Sequence, residues 1–250
     1  MKLIVDRLAT EYRDQGNGPV ILLLHGWKDT MHGFDSMIDS LSKSFRVLSL
    51  DLPGFGQTDK PEKDWFLDDY IEFVLMFLEK INVQPDYLIG HSFGGRIILK
   101  ALAQKKMSPK KVVLIASAGV TKVNTTRNGF FMLLAKLGKL VIGFLLLPSL
   151  QKKIKQRFYH FVQSDYSTAG VLTGTYLNII REDLSNLVKD ITVPTLLIWG
   201  SNDKATLLAD ANFLAREIQD ARLEVFEGKS HFVHKEEPEA VSDLIKEFCR

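Results

Sequence analysis

Cysteine is nearly absent from the 250-residue chain, which holds only Cys249, next to its last residue. One thiol excludes an intrachain disulfide and a thiolate-rich metal centre, and it fits a reducing compartment, so a cytoplasmic location is expected. An excess of one charge is missing too. Thirty-two lysines and arginines stand against thirty acids, and a net charge of +2 gives no electrostatic grip on nucleic acid. The opening residues, Met1-Lys2-Leu3-Ile4-Val5-Asp6-Arg7, contain no long apolar run, so no signal peptide is expected. The most apolar stretch, 130–147, is broken by Lys136, Gly138, Lys139 and Gly143. A lysine near the middle of a bilayer costs about 2.5–3.5 kcal/mol, so no stable membrane span is expected. Low-complexity tracts, repeats and Pro/Gly/Ser linkers are likewise missing. An apolar fraction of 46% with 25% charged residues then leaves a globular chain long enough for a sizeable core.

What is present is an alternation. Short apolar runs at 20–24, 46–50, 87–89, 111–115 and 195–199 read as strands buried on both faces, because nearly every position is apolar. Helix-period segments at 33–42, 65–81, 95–104, 207–218 and 238–248 lie between and after them. The pattern predicts an α/β fold with a mostly parallel sheet flanked by helices, and 2–6 with 9–13 suggests an antiparallel edge. The rhythm breaks at 119–190, where ten basic residues face four acids and no convincing strand occurs. The expected organisation is therefore a core of 1–118 and 191–250 with a helical cap inserted at 119–190.

Chemistry concentrates after the strands. Gly90-His91-Ser92-Phe93-Gly94-Gly95 follows one strand and opens a helix, the context in which G-x-S-x-G presents a serine on a strained turn. Ser92 is the expected nucleophile. The base is expected at His231, in Gly228-Lys229-Ser230-His231 after the apolar strand 223–226, with His234 as its rival. His91, beside the nucleophile in sequence, is expected to point away from it. His25 is expected to brace its loop, and His32 and His160 to be surface or packing residues. Asp203, in Gly200-Ser201-Asn202-Asp203, is the best placed acid to orient the base, since Asp210 falls in the next helix and 116–118 offers no acid. Charge developing on a substrate oxygen needs two N–H donors. The amides of Phe93 and of Trp27, in His25-Gly26-Trp27, are expected to supply them. His231 and His234, three apart with no H-E-x-x-H pattern or cysteine support, do not read as a metal pair, and no motif calls for a cofactor.

These motifs, with Asp51-Leu52-Pro53-Gly54-Phe55-Gly56, resemble the successive signatures of the α/β-hydrolase family, above all its small capped esterase and C–C hydrolase members. The resemblance covers 19–118 and 191–250. It implies a turn at Asp51–Gly56 beside the active site, and Gln57-Thr58-Asp59 departs from the usual serine-containing version. A serine rather than an aspartate at position 92 separates the chain from haloalkane dehalogenases and epoxide hydrolases. The leading expectation is a carboxylesterase acting on a small-molecule ester with an apolar acyl group. A C–C hydrolase on a diketone-like carboxylate, with Arg157 and Arg181 near the substrate acid, stays open, as does a non-catalytic receptor of the same fold. The oligomeric state is open.

Overall fold

The computed structural model describes residues 1–120 and 170–250. Eight strands form one sheet: β1 (Lys2–Val5), β2 (Leu8–Gln15), β3 (Val20–Leu24), β4 (Arg46–Leu50), β5 (Tyr87–His91), β6 (Lys111–Ile115), β7 (Thr195–Gly200) and β8 (Ala221–Phe226). Their order is β1-β2-β4-β3-β5-β6-β7-β8. β1 pairs antiparallel with β2, and β2 antiparallel with β4, whereas β4 through β8 pair in parallel. This is the expected α/β-hydrolase architecture with its antiparallel edge.

Period-two alternation of apolar side chains explains how one sheet carries two cores. Leu22, Leu24, Leu88, Leu114 and Trp199 belong to one apolar cluster, together with residues of α2 (Leu67–Lys80), α3 (Phe93–Ala103) and α5 (Leu208–Glu217). Their strand neighbours Ile21, Leu23, Ile89, Ile115 and Ile198 belong to the other, with residues of α1 (Asp35–Leu41) and α7 (Pro238–Cys249). Each fully buried leucine or isoleucine contributes about 1.5–3 kcal/mol relative to exposure, so a polar residue at any of these positions would be costly.

Two short helices complete the described chain, α4 (Thr173–Arg181) and α6 (Val233–Glu236). The expected helix at 33–42 is shorter, because 31–34 forms a 3₁₀ turn before α1. The expected helix at 95–104 begins earlier, at Phe93. Gly119, Val120 and 170–190 are the described parts of the expected cap. They carry α4 and two 3₁₀ turns, and the apolar stretch 130–147, Arg157 and His160 lie outside the described residues.

Parallel pairing matters for function because it sends the loops after β3, β5, β6, β7 and β8 to one edge of the sheet. Residues 25–27, 92–93, 116–118, 201–206 and 227–231 meet there.

Candidate active site

Ser92 sits between β5 and α3 with φ 49° and ψ −105°, a backbone conformation that costs a non-glycine residue about 1–3 kcal/mol. The surrounding bonds hold it there. Its amide donates to the Ile115 carbonyl at 3.0 Å, and its carbonyl accepts from Arg96 at 3.1 Å and Ala118 at 3.0 Å. The tight turn also needs small neighbours. A Cβ on Gly94 would lie 2.0 Å from the Leu24 carbonyl oxygen, and one on Gly90 2.5 Å from the Gly95 nitrogen.

Across the cleft, the Nδ1–H of His231 donates to Oδ2 of Asp203 at 2.8 Å. The Asp203 side chain is wholly buried, whereas that of His231 is 14% exposed and lines the cleft. Asp203 has further partners that fix its plane. Its Oδ1 accepts from the amides of Ala205 at 2.8 Å and Thr206 at 3.0 Å, and the Thr206 hydroxyl lies 2.8 Å from Oδ2. Thr206 is a feature the sequence reading missed, since a threonine three residues beyond an aspartate looks like any turn.

Ser92, His231, Trp27 and Phe93 all line one cleft of about 1110 Å³. Phe93 is the first residue of α3, so its N–H has no partner within the helix, and the residue lines the cleft. Trp27 follows β3, and its ring packs edge-on against Phe55 at 4.9 Å and Phe93 at 5.4 Å and tilted on Tyr176 at 5.2 Å. His25 braces this loop as expected. Its Nε2 accepts the Leu52 amide at 2.9 Å, so Nδ1 carries the proton and donates to the Gly26 carbonyl at 2.8 Å. Burial lowers the His25 pKa, which keeps that neutral tautomer. Asp51 organises the expected turn, accepting from Met31 and Gln57 at 2.8 Å each. The unusual Thr58 and Asp59 accept the amides of Glu11 and Ala9 and so pin β2.

The other histidines separate clearly. His32 is exposed and lies 3.2 Å from Asp35. His234 is 1% exposed and packs on His91, with ring centroids 4.3 Å apart. Burial pushes its pKa down to about 3. His91 stays beside the site: its ring is tilted against that of His231 with centroids 4.8 Å apart, and its Nε2 lies 3.1 Å from the His231 carbonyl. β5 extends through His91, and pleating turns that side chain toward the loop after β8.

Apolar and cationic groups complete the described wall. α4 contributes Tyr176, Ile179 and Ile180. Among the described residues, Lys28, Arg96, Lys204 and Lys235 line the cleft with a single acid, Asp29. Arg96 is buried and donates to the Ile179 carbonyl, and burial lowers its pKa to about 10. Arg181 is exposed at the end of α4 and is not among the described lining residues.

Among the described residues, no helix is long and apolar enough to cross a membrane. The chain is 27% identical over 256 residues to AB hydrolase superfamily protein YisY of Bacillus subtilis, covering 94% of this chain and 93% of that one. It is 26% identical over 257 residues to human monoacylglycerol lipase ABHD6, covering 93% and 76%. A meta-cleavage product hydrolase from Pseudomonas fluorescens superposes with a TM-score of 0.74 at 21% identity, over 99% of this chain and 96% of that one. Residues 21–244 match the alpha/beta hydrolase family, and with the sheet order and strand-to-helix serine turn described above, the chain belongs to that family.

Proposed function

We propose that the chain is a carboxylesterase in which Ser92 is the nucleophile, His231 the general base and Asp203 the acid that orients it. The observation that carries this reading is the 2.8 Å bond from His231 Nδ1 to buried Asp203, with His231 and strained Ser92 facing one cleft. Because Nδ1–H is committed to Asp203, Nε2 is left with the lone pair a base needs. Ser92 loses its proton to His231 as Oγ bonds to the ester carbonyl carbon. The amides of Trp27 and Phe93 receive the negative oxygen, and losing one such donor typically costs about 2.7–4 kcal/mol. The tetrahedral adduct collapses as His231 returns the proton to the departing alcohol. Water, deprotonated by His231, then releases the acid and restores Ser92. The segment 119–190 acts as the cap over this cleft, a role supported by Tyr176, Ile179 and Ile180 in its wall.

A second reading is favoured by the cationic lining at Arg96, Lys204 and Lys235, which suits a substrate carboxylate: cleavage of a C–C bond in a vinylogous diketone acid. The two are separated by turnover. A p-nitrophenyl ester panel from acetate to palmitate should give saturable hydrolysis with an optimum at short-to-medium acyl length. Hydrolysis of the diketone acid without turnover of any ester would replace the first reading by the second.

A further inference from the structure

Three donor side chains outside the proposed ester chemistry converge in the wall behind His231. One ligand atom from each of Asp29, His91 and His234 lies within 4.8 Å of the others. They are far apart in sequence and are brought together by the turn after β3, the end of β5 and α6. Both histidines are 1% exposed.

Hydrogen bonding defines what these rings offer. A carbonyl oxygen only accepts, so His91 Nε2, 3.1 Å from the His231 carbonyl, must carry its proton. In a neutral imidazole, Nδ1 of His91 is then a bare lone pair, and this buried atom has no partner among the described residues. Neither nitrogen of His234 has one either. Leaving a buried polar atom unpaired forfeits its hydration without return, so two rings in mutual contact with three unpaired nitrogens call for an explanation. Gly26 keeps the approach open, since a Cβ there would sit 2.7 Å from His91 Nδ1. Its carbonyl accepts the Asp29 amide at 3.2 Å, which closes the turn that brings the carboxylate near.

We propose that Asp29, His91 and His234 bind one divalent transition-metal ion of the zinc, cobalt or nickel type. Two imidazoles are borderline donors that such ions select, a carboxylate oxygen completes the sets zinc accepts, and three protein ligands leave a position for water. Tetrahedral coordination at about 2.0–2.1 Å requires the ligand atoms to close to about 3.3 Å, a movement within reach of side-chain rotation. Asp29 is engaged by Lys235 at 2.8 Å and by the Thr30 amide at 3.0 Å. Lys235 is 39% exposed, so its ammonium can swing to water when the ion enters. A cavity of about 420 Å³ beside the Ser92 cleft is lined by two of the three ligands, Asp29 and His234, while Asp29 and His91 also line the cleft, so the site is approached from both sides. The site was hidden from the sequence, where only His231 and His234 invited pairing. The His91 ring links the ion to the base through the bond from Nε2–H to the His231 carbonyl, so occupancy should alter kcat more than KM.

The test uses untagged, chelator-treated full-length protein titrated with Co²⁺, read by visible absorption and by calorimetry, with Zn²⁺ competition. The expected result is one ion per chain, displaced by Zn²⁺, with a rise in melting temperature as the ion is added. His234→Gln and Asp29→Asn should each weaken Co²⁺ binding by more than about tenfold while circular dichroism stays native. His231→Ala should bind Co²⁺ as wild type does. Absence of saturable binding by the wild type, unchanged affinity in both ligand variants, or loss of binding in His231→Ala would overturn the site. If either ligand variant fails to fold, the Co²⁺ stoichiometry of the wild type and its persistence in His231→Ala still decide the matter.

Discussion

Thr206 grips Asp203 twice, its amide 3.0 Å from Oδ1 and its hydroxyl 2.8 Å from Oδ2. The same hydroxyl lies 3.3 Å from His231 Nδ1, so one side chain touches both partners of the pair. Thr206→Val keeps the shape and the amide bond and removes the hydroxyl alone. A hydrogen bond to a charged group is worth about 1.5–3 kcal/mol, so kcat/KM should fall by about tenfold or more. Esterase kinetics check this, and an unchanged kcat/KM would remove Thr206 from the positioning network.

The Asp203 amide variant tests the orientation itself. Asp203→Asn would present an N–H to His231 Nδ1 in one rotamer and favour the wrong imidazole tautomer. Turnover should drop by about 10⁴, nearly as far as in His231→Ala. Retention of most activity by Asp203→Asn would require another acid.

Strain at Ser92 gives a stability signature separate from activity. Ser92→Ala keeps the Cβ at φ 49°, whereas Ser92→Gly releases the strain at some cost in backbone entropy. Both variants should lose nearly all turnover, and the glycine variant should be the more stable by about 1 kcal/mol, or about 2–4 °C in Tm. Calorimetry of the two variants decides; equal or reversed melting points would mean that any strain in the turn does not exceed the entropic cost of glycine.

Asp210 supplies a pH-dependent prediction of known sign. Burial, with Asp203 nearby, raises its pKa to about 6, against the pull of the Leu207 amide it accepts at 3.0 Å. The folded state thus holds this proton more tightly than the unfolded chain, and Asp210 costs stability as pH rises through about 4 to 6. Asp210→Asn keeps the carbonyl acceptor for Leu207 and removes the charge. It should exceed wild type by an amount on the order of 2 kcal/mol at pH 7–8 and converge with it near pH 4. Urea denaturation at both pH values measures the difference.

Much of this layout was legible in the chain because the signals are local. The run Val20-Ile21-Leu22-Leu23-Leu24 names a buried parallel strand, and Gly90-His91-Ser92-Phe93-Gly94-Gly95 carries the strand, the tight turn and the helix start in one phrase. Asp203 and His231 followed from lying just beyond apolar strands. What escaped depends on distance in sequence. The contact between His91 and His231 joins residues 140 apart in sequence and depends on where the loop after β8 lies against β5. Arg96 on Ile179 and the Asp29–His91–His234 convergence are products of sheet order, which no single segment encodes, whereas Thr206 escaped because a threonine three residues after an aspartate looks like any turn.

Ester cleavage as proposed requires Ser92 to be an activated nucleophile, and intact-mass analysis after treatment with a fluorophosphonate measures that directly. One adduct per chain is expected, mapped to Ser92, absent from Ser92→Ala and strongly slowed in His231→Ala. A wild-type protein that is folded yet takes no label, or a label that persists undiminished in Ser92→Ala, would rule out Ser92 as the nucleophile.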